Sequence, residues 1–388
     1  MYKKILFYDT TWNQLLRVGN VIAKELQREN LKTYGLVYET SENEVDINND
    51  KHYFTKAFVT KNISEIREAI QVIKPDVVVF AQNTIPDLYA ILYSQQINAK
   101  IIMLQHGLLY DGATLNNFRV GEVFAALLKV KKSISYLNIL RLMCSEKNKS
   151  FLLAMFTMIR KKYNITTTIQ NYFNPPLRGN NAFVIGEHWI QYYHDNYGYP
   201  INNIFVMGNH DVDDIDLNKT IEDAICYIPS VHVEDGKVTK RVFDQFLSSL
   251  KASLPKGKKF YIKLHPRSDK NLYLPFFNSD EAVYVEGPEL PYVKAYIGHN
   301  SSLLSKALQI SGVLILWGFK EEPELFYKDF AFAVCNDMYS LKKAIKSIDY
   351  ESDNRELKCI EKYSYHNPMG AYKYCANKIL EIMDLEEV

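Results

Sequence analysis

Three short polar segments in the second half of this 388-residue chain carry side chains suited to handling a phosphate and a proton. In Val233-Glu234-Asp235-Gly236 a carboxylate stands beside a glycine, which lets the backbone turn sharply enough to expose the acid as a general base. The same residues would also make an ordinary Asp-Gly turn. In Lys263-Leu264-His265-Pro266-Arg267 a proline fixes the backbone directly after a histidine, while Lys263 and Arg267 add the positive charge an anion needs. A histidine there would equally serve as a hydrogen-bonded structural group. Gly298-His299-Asn300-Ser301-Ser302 precedes a helical stretch, so backbone N–H groups, two hydroxyls and the helix dipole converge where a phosphate would sit. Ordinary N-capping needs only one of those residues.

Each segment follows an apolar run that reads as a strand: Ala224 to Ile228, Lys259 to Leu264 and Ala295 to Ile297, with further strands at Ala282 to Val285 and Val313 to Trp317. The first hundred residues show the same βα rhythm. Strands are predicted at Lys4 to Tyr8, Thr33 to Tyr38, Pro75 to Ala81 and Ala99 to Gln105, and helices at Leu15 to Glu29 and Ile63 to Ile73. Two more strands follow, in Ala182-Phe183-Val184-Ile185 and from Ile204 to Gly208. Asp9, Thr10, Gln105 and His106 end strands, and His188 follows one, at the edge where open α/β sheets place ligands. They are read as acceptor-recognising residues, with Asp9 the alternative base should Asp235 not serve. The competing reading is that they satisfy local backbone groups in loops.

The length favours two domains. Residues 1–210 are expected to form an N-terminal Rossmann-like domain with a basic, apolar helical insertion at about 119–165. Residues 220–370 are expected to form a C-terminal Rossmann-like domain, and 371–388 a helix packing back toward the first. With 46 basic and 45 acidic residues the balance offers no reason to expect nucleic acid as partner. Five scattered cysteines lack the spacing of a zinc or redox centre. The N-terminal apolar run is too short for a signal peptide and no run spans a bilayer, so a cytoplasmic protein is expected. Between Arg119 and Lys162, ten cations (Arg119, Lys129, Lys131, Lys132, Arg141, Lys147, Lys149, Arg160, Lys161, Lys162) face only Glu122 and Glu146. Ile139, Leu142, Met143, Phe151, Leu152, Met155, Phe156 and Ile159 recur there at helical spacing, as in helices that lie on anionic membranes at the inner face of a cell; solvated helix faces are the alternative.

Taken in order, Glu234-Asp235-Gly236, His265-Pro266 and Ser301-Ser302 resemble the three motifs of bacterial GT-B sialyltransferases, the lipooligosaccharide sialyltransferase and polysialyltransferase families. The resemblance covers roughly residues 220 to 320. It implies an α/β fold of the GT-B type, two doubly wound Rossmann-like domains with a cleft between them, the N-terminal one acceptor-binding and the C-terminal one nucleotide-sugar-binding. It also implies an inverting, metal-independent glycosyltransferase with no cofactor, moving a nonulosonic, sialic-acid-like residue from a CMP-activated donor to a capsule or lipooligosaccharide glycan or glycolipid. By that resemblance Asp235 takes the acceptor's proton, and His265 binds or protonates the departing phosphate. Ser301 and Ser302 hydrogen-bond the CMP phosphate, and Lys263, Pro266, Arg267 and Asn300 complete the donor site. The His-Pro and Ser-Ser pair also resembles teichoic-acid-type CDP-glycerol polymerases and capsule Kdo transferases. Gln105-His106-Gly107 and Gly208-Asn209-His210 bear a faint likeness to hydrolysing UDP-sugar epimerases, and a non-catalytic polysaccharide-assembly protein is a third reading. Nicotinamide chemistry is disfavoured, because Asp9-Thr10-Thr11-Trp12 follows the first strand where a glycine-rich turn would be needed. Asp211-Val212-Asp213 lies in the expected linker rather than at a strand end, which leaves no metal-binding motif.

Overall fold

Short runs rich in Val, Ile, Tyr and Phe, most of them followed by a helix, build two separate parallel sheets. The computed structural model describes residues 2–28, 30–39, 51–81, 84–105, 123–160, 165–216, 218–287, 289–299, 301, 303–311, 313–319, 326–348 and 360–384. The chain divides into two compact units. The first comprises Met1–Gly107, Thr114–His210 and Tyr365–Val388; the second comprises Leu108–Ala113 and Asp211–Ser364.

The first unit's strands are β1 (Lys3–Asp9), β2 (Leu31–Tyr38), β3 (Lys56–Thr60), β4 (Val77–Phe80), β5 (Lys100–Leu104), β6 (Asn181–Val184) and β7 (Ile204–Val206). They lie all parallel in the order β3-β2-β1-β4-β5-β6-β7. The central strands are buried on both faces, so β4 reads Val-Val-Val-Phe without a polar break. Its helices are α1 (Trp12–Arg17), α2 (Gly19–Glu25), α3 (Ile63–Ile73), α4 (Ile85–Gln96), α5 (Val123–Glu146), α6 (Phe151–Arg160), α7 (Ile165–Tyr172) and α8 (His188–Tyr197). The single helix expected over Leu15 to Glu29 is two, broken at Val18. Gly19 packs the second piece onto β1: a Cβ there would stand 2.9 Å from Leu15 Cδ1 and 3.1 Å from Phe7 Cβ. Sequence patterns passed over α4, β3 and a last strand in the second unit. α4 buries ten of its twelve residues and so has no amphipathic period, and the two strands are short edges.

The second unit's strands are β8 (Glu222–Ile228), β9 (Lys259–Lys263), β10 (Val283–Val285), β11 (Val293–Gly298), β12 (Leu314–Trp317) and β13 (Ala333–Cys335), parallel in the order β10-β9-β8-β11-β12-β13. Its helices are α9 (Lys240–Ser253), α10 (Leu303–Ser311) and α11 (Met338–Lys346). α9 shows how the sequence makes such a helix. Thr239 caps it by accepting from the Val242 N–H, and Phe243, Phe246, Leu247 and Leu250 place one apolar stripe against Ile225, Tyr227 and Ile262 of the sheet.

The last helix, α12 (Ala371–Asp384), belongs to the first unit and packs on α2. The chain is fastened there by three hydrogen bonds. Tyr365 N–H donates to Ile185 O at 2.8 Å, Asn209 N–H to Tyr365 O at 2.8 Å, and Asn367 Nδ2 to Met207 O at 2.8 Å. Among the described residues no helix is long and apolar enough to cross a membrane.

Candidate functional site

In the second sheet the strand order reverses between β8 and β11, the point at which open parallel sheets bind ligands beyond their strand C-termini. The three polar segments leave the ends of β8, β9 and β11, which are neighbours in that sheet. After β8 the chain folds back through Gly236, whose φ of 68° is left-handed, with Asp235 N–H bonded to Val231 O at 2.9 Å. Two carboxylates then fasten this turn to the loop after β9. Glu234 Oε1 accepts from the Asp269 N–H at 3.0 Å, and Asp235 Oδ1 accepts from Arg267 Nη1 at 2.8 Å. Lys237 Nζ stands 3.5 Å from the other oxygen of Asp235. Partial burial pushes the Asp235 carboxyl up, but the Arg267 hydrogen bond and charge, joined by Lys237, outweigh it and hold the group below the usual carboxylate range. A carboxylate held this way is a weak proton acceptor and a firm anchor for a guanidinium.

His265 is half-buried, and its Nδ1 accepts from the Arg267 N–H at 3.1 Å. The neutral ring therefore carries its proton on Nε2. Burial lowers its pKa, and the charges of Arg267 and Lys263 add to this against the pull of Asp235 and Glu234. At neutral pH the imidazole thus offers an N–H donor. Pro266 and Arg267 are exposed beside it.

Other members of the predicted set are committed to structure. Lys263 is 4% exposed and donates to Gly287 O at 2.5 Å, tying β9 to the loop after β10, and burial lowers its pKa. His299 is wholly buried. Its Nδ1–H donates to Trp317 O at 2.9 Å, its Nε2 accepts from the Tyr227 hydroxyl at 2.8 Å, and its ring stacks on Phe319 at 5.0 Å. Burial holds it neutral. Ser301 caps α10, its Oγ accepting from the Leu303 N–H at 3.3 Å and its carbonyl from the Leu304 N–H at 3.1 Å. Asn300 and Ser302 lie outside the described residues.

The first sheet reverses its order between β1 and β4, and there it gathers carboxylates. Asp9 ends β1 at 2% exposed, with Oδ1 accepting from the N–H groups of Thr10 at 2.6 Å and Thr11 at 3.2 Å. Burial raises its pKa to about 7, and the charges of Asp87 and Glu39 add to the rise while the two N–H groups oppose it. Asp87, in the first turn of α4, caps that helix by accepting from the N–H of Thr84 at 2.5 Å and from its hydroxyl at 2.6 Å. Burial lifts it to about 6 against those bonds. Glu39 follows β2, is 4% exposed, and accepts from the Trp12 N–H at 3.2 Å. The sequence reading missed both. A Thr three residues before Asp87 at the head of an apolar run was the available signal for one, and position at a strand end for the other. Thr10, beside Asp9, is half-buried. Gln105 is buried, and its Oε1 accepts from the Ile185 N–H at 3.2 Å, joining the ends of β5 and β6. His188 opens α8, exposed, with its ring against Trp189 at 5.1 Å. His106 lies outside the described residues. Among the described residues no three His, Cys, Asp or Glu side chains are grouped to hold a metal ion.

No protein-family model and no curated protein matches this chain. Solved structures do. The UDP-GlcNAc 2-epimerase from Methanocaldococcus jannaschii matches at TM-score 0.55 and 14% identity, over 99% of this chain and 100% of that one. The calicheamicin glycosyltransferase CalG4 matches at TM-score 0.54 and 10% identity, over 99% and 98%. A variant of the wall teichoic acid polymerase TagF matches at TM-score 0.53 and 12% identity, over 99% and 89%. The chain has the GT-B fold. At such identities the GT-B likeness speaks for architecture alone, and the chemistry must be argued from this chain's own residues. In the second unit of this GT-B protein Asp235 orients Arg267, with His265 beside them. In the first, Asp9 is a buried carboxyl whose pKa is raised to about 7.

Proposed function

We propose that the chain transfers a sugar from a nucleotide-activated donor to a hydroxyl acceptor, the donor phosphate being held at the ends of β8, β9 and β11. One observation carries this reading: the neutral His265 ring stands beside an exposed Arg267 that Asp235 orients, at the reversal of strand order. In the transfer step the acceptor oxygen attacks the anomeric carbon while the bond from that carbon to the phosphate oxygen breaks. The electron pair leaves on the nucleotide phosphate, where the His265 Nε2–H and the Arg267 guanidinium stabilise the developing charge without a metal. The hydroxyl proton passes to a base other than Asp235, which is ionised and spent on Arg267. Attack opposite the leaving group inverts the anomeric centre. Asp235 is then a positioning residue.

For the donor we favour a CMP-linked nonulosonic acid, on the order of the Glu234-Asp235-Gly236, His265-Pro266 and Ser301-Ser302 motifs, and for the acceptor a surface glycan or glycolipid. CMP-Kdo would release CMP by the same attack at an anomeric carbon, whereas CDP-glycerol would release CMP by attack at its distal phosphorus, the charge again developing on the CMP phosphate. A second reading, interconversion of a UDP-sugar, is supported by the likeness to the archaeal epimerase. Calorimetric titration with CMP, CDP, UDP and GDP, on the native protein and on His265→Ala, separates these readings. Transfer from a cytidine-linked donor predicts preference for CMP or CDP, weakened about tenfold or more in His265→Ala by loss of a charge-assisted hydrogen bond. Preference for UDP, with UDP-GlcNAc converted in the absence of any acceptor, would replace transfer by epimerisation. No nucleotide binding would overturn both.

A further inference from the structure

The helix α6 turns its largest apolar side chains outward. Leu152, Leu153 and Phe156 are 76%, 54% and 62% exposed, whereas Ala154 on the opposite side is 1% exposed. Phe156 lies four residues after Leu152 and three after Leu153, so the three share one face. α5 packs against α6 and presents Leu142, 43% exposed, next to Arg141. The turn joining the helices carries Lys147 and Lys149. Among the described residues no ion pair involves Arg141, Lys147 or Lys149, while Glu146, the acid of this hairpin, is taken by Arg67 at 2.9 Å. Exposed apolar surface is thus flanked by cations that have no ion-pair partner among the described residues.

We propose that this hairpin docks on an anionic lipid bilayer, with α6 lying in the interface plane and Leu152, Leu153 and Phe156 entering the boundary between headgroups and acyl chains. Charge decides the occupant. A two-fold contact between copies of this chain would set the same patch against itself, cation facing cation, whereas acidic headgroups complement it throughout. The geometry is that of an interfacial helix, since no helix among the described residues is long and apolar enough to cross. Docking of this kind would bring the chain to a lipid-linked acceptor, but it requires no nucleotide and stands independently of the transfer reading.

The test is sedimentation of the full chain with phosphatidylcholine vesicles, with and without about one-quarter phosphatidylglycerol. The expected result is binding to the anionic vesicles that falls with added salt and is little seen on the neutral ones. The triple variant Leu152→Ser, Leu153→Ser, Phe156→Ser should lose this binding by about tenfold or more, as should Arg141→Glu, Lys147→Glu, Lys149→Glu. Unchanged melting by circular dichroism would confirm that these exposed positions leave the fold intact. Failure of the native chain to bind, or full binding by the apolar triple variant, would overturn the proposal. So would a native dimer that the same variant dissolves, since the face would then be an interface between copies.

Discussion

At Asp9 burial and neighbouring charge act together on a single carboxyl. Its pKa, near 3.8 when unfolded, rises to about 7 in the fold. Between those values the folded chain holds a proton the unfolded chain has released, so this contribution to stability is full below about pH 4 and lost as pH rises through 7. Asp9→Asn, neutral at every pH, should therefore match the native chain in urea denaturation at pH 4 and exceed it at pH 8 by about 4 kcal/mol. Equal stability at pH 8 would place the Asp9 carboxyl in the ordinary range. Asp9 was legible in the sequence as an acid at a strand end, but its raised titration was not, because Asp87 and Glu39 reach it from other elements. The second unit gives a similar lesson. The order of its motifs was readable, whereas the capture of Asp235 by Arg267, of Lys263 by Gly287 O and of His299 by Tyr227 and Trp317 depends on how separate strands and loops meet.

At the scale of elements, one glycine governs how the chain returns to the first unit. Gly208, just past β7, has φ of 92°, and a Cβ on it would lie 2.8 Å from Asn367 Cβ and 3.0 Å from Tyr365 O. Gly208→Ala thus meets an unfavourable backbone conformation and a clash with the segment that leads into α12. Gly257, with φ of 79° and nothing within 4 Å of such a Cβ, meets only the first. Chemical denaturation should show a loss of about 1 kcal/mol for Gly257→Ala and about 3 kcal/mol for Gly208→Ala. Equal losses would mean the Tyr365 to Asn367 segment yields freely. Some elements with a clear period were legible: the buried runs became β1, β4 and β5, and the amphipathic residues from Ile63 became α3, although the equally amphipathic α9 and α11 were passed over. Those without one were not, and the split between α1 and α2 is set by the approach of Gly19 to Phe7, a contact made only in the folded sheet.

At the scale of the whole molecule, the first unit is discontinuous: its chain leaves at His210, and the segment from Tyr365 rejoins it. α12 buries Ala371, Cys375, Ala376, Ile379, Ile382 and Met383 to 6% exposure or less. At roughly 1–2 kcal/mol for each larger apolar side chain withdrawn from water, losing this helix costs an amount comparable with the stability of a whole domain. The second unit has a core of its own, in which Tyr227, Phe246, Leu250 and Phe260 pack within its sheet and α9. A chain ended at Ser364 should therefore lose the first unit while keeping the second. Limited proteolysis read by mass spectrometry should find rapid cleavage before residue 211 and a resistant fragment spanning most of 211–364, where the full chain resists throughout. Equal resistance of the first unit in the shortened chain would mean that its seven-stranded sheet closes a sufficient core without α12. The return of the chain would then contribute little to folding, and the buried face of α12 would need another reason to be apolar.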